Sequence, residues 1–96
     1  MYCKTYETQN GTVLACCDKQ VIGKNLVEGP YDVTITEKFY KGSDTTEDEL
    51  AVMLADAFSI NLFGKKAVGV ALKHGFLTEK DIIRIAGVEH AVILKV

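Results

Sequence analysis

The strongest constraint on the fold is a change of hydrophobic period partway along the chain. Residues 47–58 place Leu50, Met53, Leu54, Ala57 and Phe58 at helical spacing. Ahead of them, Thr46-x-x-Glu49 reads as a capping box, with Glu47, Asp48 and Glu49 favouring the helix N-terminus. A second helix is predicted over residues 64–73, with Ala67, Val68, Ala71 and Leu72 on one stripe and Gly75 as its stop. Ser59 to Phe63 reads as the connector between the two helices.

Outside this stretch the sequence favours strands. Residues 1–8, rich in Tyr and Thr, and the apolar run Thr12 to Cys17 flank Asn10-Gly11, a dipeptide suited to a type I′ hairpin turn. With Asn10 and Gly11 as the loop, Thr5 faces Cys16 and Lys4 faces Cys17. Cys3 is then diagonal to Cys16, and Cys17 points to the other face. Asp18 to Leu26 reads as a connector with a single turn at Val21-Ile22-Gly23. Gly29-Pro30 marks a turn, Tyr31 to Thr36 a third strand, and Lys41 to Thr45 a polar loop. Thr78-x-x-Asp81 suits the cap of a short turn. The β-branched residues from Ile82 to Val96 then predict strands at 82–86 and 90–95 around a hairpin near Gly87-Val88-Glu89. Strands and helices are grouped, so the expected class is α+β: an N-terminal three-strand antiparallel region with a hairpin, two central helices and a C-terminal β-hairpin, in one domain over 1–96.

Composition narrows the class further. The 96 residues are 48% hydrophobic and 25% charged, an ordinary globular balance too apolar for a disordered tail. Apolar runs reach only five or six residues, too short for a membrane-spanning helix, and Met1 leads straight into a strand pattern with no signal-peptide signature. A cytoplasmic location is expected. The 11 basic residues against 13 acidic ones give a net charge of −2, which disfavours a protein that wraps duplex nucleic acid and leaves room for a local basic patch.

Residues capable of chemistry are few, and no cofactor signature is present. Cys16-Cys17 is not a CxxC pair, and three cysteines in an intracellular chain do not make a disulfide framework, so buried apolar roles are expected. Cys3, Cys16, His74 and His90 lack the paired spacing of a zinc site, so no metal is expected. A nucleophilic site would pair Cys16 or Cys17 with His74 or His90 and an orienting Asp18 or Asp81, yet a mid-strand cysteine has no source of a lowered pKa. His74, just before Gly75, suits a helix end. Arg84 alternates away from Ile83 and Ile85 and reads as solvated. Asn61-Leu62-Phe63-Gly64-Lys65-Lys66 is the most suggestive segment. It opens a helix with two lysines that oppose the helix dipole, where backbone N–H groups and ammonium groups together would suit a phosphate or carboxylate. It is not a phosphate loop, because GxxxxGK[ST] is absent.

The opening Met1-Tyr2-Cys3-Lys4-Thr5-Tyr6, the strand end Val13-Leu14-Ala15-Cys16-Cys17-Asp18, Ile22-Gly23-Lys24, Asn61-Leu62-Phe63-Gly64, Ala67-Val68 and the closing Ile83-Arg84-Ile85-Ala86-Gly87-Val88-Glu89-His90-Ala91 resemble the small archaeal domain-of-unknown-function family 424. The likeness spans nearly the whole chain, and the closing segment is its most specific part. It implies a short archaeal cytosolic protein and brings no activity and no catalytic residues. Through the translation and ribosome-maturation genes that accompany such genes, it also implies a ribonucleoprotein-associated role. The expectation is therefore a non-enzymatic binding module attached to translation or ribosome assembly. Its partner would be a ribonucleoprotein or a translation factor, contacted through Asn61, Gly64, Lys65, Lys66, Arg84 and His90. The alternatives are a small enzyme or ligand-binding protein using Cys16 or Cys17 with His90, and a homo-oligomer whose sheet edges pair.

Overall fold

A computed structural model describes residues 1–95; Val96, the last residue of the β-branched run, lies outside them. The chain runs β1 (Tyr2–Thr8), β2 (Gly11–Cys17), β3 (Asn25–Glu28), β4 (Tyr31–Thr34), α1 (Glu37–Tyr40), β5 (Ser43–Asp44), α2 (Glu47–Asp56), β6 (Ser59–Phe63), α3 (Lys65–Lys73), β7 (Ile83–Ile85) and β8 (Val88–Leu94). Of the two single 3-10 turns, Glu79–Asp81 falls at the cap expected at Thr78-x-x-Asp81, whereas Lys19–Val21 ends where the turn read at Val21-Ile22-Gly23 was expected to begin. No helix among the described residues is long and apolar enough to cross a membrane.

The class is α+β, but the strands are distributed differently from the expectation. Six form one sheet in the order β5-β1-β2-β6-β8-β7, and β3-β4 form a separate hairpin. The expected third strand therefore does not join β1 and β2; it pairs with β3, a strand that begins in the last two residues of the expected connector, about the Gly29-Pro30 turn. The larger correction is Ser59–Phe63. This segment is strand β6 in the middle of the sheet, parallel to β2 and antiparallel to β8. Its alternation is visible in hindsight, since Ile60 and Leu62 face one side while Ser59, Asn61 and Phe63 face the other. What the local pattern lacks is its partner, because a parallel neighbour needs a long crossover, here everything from Asp18 to Phe58.

The sheet divides the interior into two cores. On one face α2 and α3 cover Leu14, Cys16, Ile60, Leu62 and Ala91 with Leu50, Leu54, Val68 and Ala71. On the other, α1 and the β3-β4 hairpin cover Ala15, Cys17, Phe63, Ile85 and Val88 with Leu26, Ile35 and Tyr40. The predicted capping box is present: Thr46 Oγ1 accepts from the Glu49 N–H, and the Glu49 carboxylate accepts from the Thr46 N–H at 2.9 Å, which holds its pKa below the usual range.

The turns also correct the reading. Gln9 and Asn10 are the loop between β1 and β2, and Gly11 is already the first residue of β2, at φ 126°. No positive φ occurs at Asn10, so this is not the type I′ turn. The two successive positive φ values that such a turn requires fall at Ala86 (50°) and Gly87 (81°), between β7 and β8. Moving the loop by one residue on each side brings Cys3 directly opposite Cys16 rather than diagonal to it.

Candidate functional site

The segment singled out in the sequence sits where β6 runs into α3, and its local chemistry depends on a residue far upstream. Gly64 occupies the N-cap position of α3 but has no side chain to cap with. The cap comes instead from Asp18, at the end of β2, which is buried with 1% exposure. One carboxylate oxygen accepts the Lys66 N–H and the other the Ala67 N–H, each at 2.9 Å. This satisfies two orphan donors and places a negative charge at the positive end of the helix. A Cβ on Gly64 would collide with the Asp18 carboxyl, and φ of 108° there is a glycine conformation. The anion at this helix start is therefore the protein's own.

The ammonium groups remain free of that arrangement. Lys65, Lys66 and Lys73 are exposed along the outer side of α3, and with Gly69, Val70 and Glu47 they line a groove between α2 and α3 of about 480 Å³. Three cations against one carboxylate give this groove a local charge of +2 on a chain of net charge −2. None of the three lysines lies within 4.0 Å of a carboxylate oxygen among the described residues. Beyond α3 a second depression, about 230 Å³, is lined by Lys65 and Gly69 and by Arg84, Glu79 and Glu89. Arg84 is exposed on β7, as its alternation predicted, with Glu89 opposite it in register.

Asn61 and His90 lie on the other face of the sheet. Asn61 accepts a hydrogen bond from the Tyr40 hydroxyl at 2.7 Å. His90 stacks on Phe63, ring centroids 3.9 Å apart, and its Nδ1 sits 2.9 Å from the Leu62 carbonyl. Burial lowers its pKa, and the bond to Leu62 opposes that only in part. The structure thus brings Lys65, Lys66 and Arg84 to one surface, assigns Gly64 to the helix start and sets Asn61 and His90 on the reverse. Lys73 and Gly69 were missed as site residues. The spacing Lys65, Lys66, Gly69, Lys73 on one helix was a signal that could have found them.

The cysteines are not arranged for nucleophilic chemistry. Cys3 and Cys16 form a cross-strand disulfide pair beneath the helices, with Cα atoms 4.2 Å apart, which corrects the expectation of unpaired apolar roles. Cys17 faces the other core, where burial and then the neighbouring Asp18 charge push its thiol up to about 11. Phe63 stands between Cys17 and His90 in the register, putting two strand spacings, roughly 9–10 Å, between their backbones. His74 is the C-cap of α3, its N–H bonded to the Val70 carbonyl. No group of three or more His, Cys, Asp or Glu side chains suited to a metal ion occurs among the described residues.

These features define a small α+β protein with a mixed six-stranded sheet, a capped basic helix on one face and a strand hairpin on the other. The chain belongs to the family described as protein of unknown function (DUF424), whose model matches residues 6–96. Its fold is similar to the crystal structure of an uncharacterized conserved protein from the archaeon Methanopyrus kandleri. The TM-score is 0.82 at 27% identity, over 99% of this chain and 92% of that one. The archaeal source of that structure agrees with the resemblance read from the sequence. No curated protein matches the chain.

Proposed function

We propose that the protein is a non-enzymatic binding module that docks on a ribonucleoprotein of the translation apparatus through the outer face of α3. The observation that carries this reading is the segregation of charge: three exposed lysines with no carboxylate partner among the described residues, around one groove of an otherwise acidic protein. Such a local patch binds phosphate at modest affinity, while the net charge of −2 suppresses indiscriminate binding to nucleic acid. The raised Cys17 pKa, the pairing of Cys3 with Cys16 and the distance from Cys17 to His90 all favour binding over covalent catalysis. No buried side-chain polar atom among the described residues is left without a partner, which also directs attention to the outer surface rather than to an interior cavity.

The test is affinity recovery from archaeal lysate, with and without nuclease, read by mass spectrometry. Nuclease-sensitive recovery of ribosomal proteins or initiation factors, lost in the Lys65→Ala/Lys66→Ala variant, is the expected result. Recovery that is indifferent to both nuclease and the lysine pair overturns the reading.

A further inference from the structure

The ligand-facing side of α3 contains a residue whose cost the protein's own packing does not explain. Gly69 is the only glycine inside a helix among the described residues, in the middle of nine-residue α3. A glycine there costs about 1 kcal/mol relative to alanine. Elsewhere the chain has a reason for its constrained glycines. A Cβ at Gly64 meets Asp18, and one at Gly42 meets the Cys3 carbonyl. At Gly69 a Cβ would meet nothing within 4 Å, and φ is not positive. Neither steric fit nor backbone conformation requires glycine at this position.

Its surroundings supply a reason. On the helix surface its neighbours at i−4, i−3 and i+4 are Lys65, Lys66 and Lys73. Gly69 also lines both depressions that flank α3, the lysine groove on the α2 side and the Arg84 depression on the β7 side. Lys65 is the other residue that lines both, so at Gly69 the ridge between them is bare backbone beside a cation, and an occupant crossing there meets lysines on one side and Arg84 on the other. Lys65 and Lys73 are separated by about 12 Å along the axis at 1.5 Å per residue. A lone phosphate cannot span that distance; a chain of phosphates can. Lysines act as point charges suited to phosphate oxygens, whereas planar carboxylates favour the arginine fork. Glu47 lines the first depression and Glu79 and Glu89 the second, so the excess of cations lies on the lysine side of Gly69.

From this we infer that Gly69 is a close-approach position, where the sugar–phosphate backbone of single-stranded RNA crosses α3 between the lysines and Arg84. The inference rests on the reading of α3 as the binding face and adds the ligand class and the point of contact. It is tested with the full chain and a fluorescein-labelled 20-nucleotide oligouridylate, by anisotropy, alongside urea unfolding. Gly69→Ala and Gly69→Gln install better helix formers, so both raise the unfolding midpoint. Both weaken RNA binding, the alanine variant about threefold and the glutamine variant about tenfold or more, because each blocks the approach of a backbone. Opposite signs in the two measurements are what a merely structural glycine does not give. If both variants bind RNA like the wild type while Lys65→Ala/Lys66→Ala/Lys73→Ala does not, the close approach is wrong and the binding face stands. If the lysine variant also binds normally, both fall. Binding of polyglutamate but not of the oligonucleotide overturns the RNA assignment. A lowered unfolding midpoint in Gly69→Ala gives the glycine an internal role and overturns the inference.

Discussion

The carboxylate of Asp18 occupies the space that a side chain on Gly64 would fill, and from there it caps the helix that Gly64 opens. This contact ties the end of β2 to the start of α3, and the Asp18 N–H reinforces it by donating to the Phe63 carbonyl at 3.0 Å. Asp18→Ala strands two N–H donors at a buried helix start and is expected to cost about 2–4 kcal/mol, with Asp18→Asn intermediate because one acceptor survives. Gly64→Ala is expected to cost a similar amount, about 2–4 kcal/mol, through the clash and the forbidden φ. Urea midpoints measure all three. A loss below 0.5 kcal/mol, well under the roughly 1–3 kcal/mol of one unsatisfied buried donor, in Asp18→Ala contradicts this account of the helix start.

The pairing of Cys3 with Cys16 makes a simple chemical prediction. Protein unfolded without reductant and alkylated should gain one alkyl group, on Cys17, and after reduction it should gain three. The bond closes a short loop across the β1-β2 hairpin, so its reduction should lower stability by about 3 kcal/mol. Three alkyl groups without reductant would show the pair open.

His90 links stability to pH. Burial favours its neutral form in the folded state, so its folded pKa lies below the unfolded value of about 6.5. A depressed folded pKa means that the unfolded chain binds the extra proton first. The contribution is complete above about pH 6.5 and is lost as pH falls through the folded value. In His90→Phe, which keeps a ring against Phe63 but cannot titrate, the urea midpoint should fall less between pH 7.5 and pH 5 than in the wild type. Parallel falls would place the acid sensitivity elsewhere.

How far the fold was legible depends on how local its causes are. The capping box at Thr46 and Glu49, the buried stripe of α3 and the strands around Gly87 are encoded within a few residues, and they appear where expected. Strand β6 was not legible, because five residues between two helices become a strand only through a parallel partner more than forty residues upstream. The hairpin register was mistaken because Asn10-Gly11 suits a type I′ turn, while Gly11 has the sole positive φ of this hairpin and begins β2. The site was half legible. The oddity of Lys65 and Lys66 at a helix start was visible, but its resolution lay in Asp18, whose side chain gave no hint in sequence that it would cap α3. Asn61 was grouped with the lysines by proximity in the chain, and strand alternation sends both it and His90 to the opposite face.

The salt dependence of RNA binding tests the central claim most directly, since it counts the cations that touch phosphate. For the oligouridylate, log K plotted against log salt concentration should fall with a slope of about −2.8 for contacts from the three lysines and Arg84, at about 0.7 per phosphate neutralised on a single strand. Each Lys→Ala change at Lys65, Lys66 or Lys73 should reduce the steepness of the slope by about 0.7, and the triple variant should leave about −0.7, the contribution of Arg84. A slope near zero in the wild type, or one that the triple variant leaves unchanged, contradicts the assignment of the α3 groove as the site that meets nucleic acid.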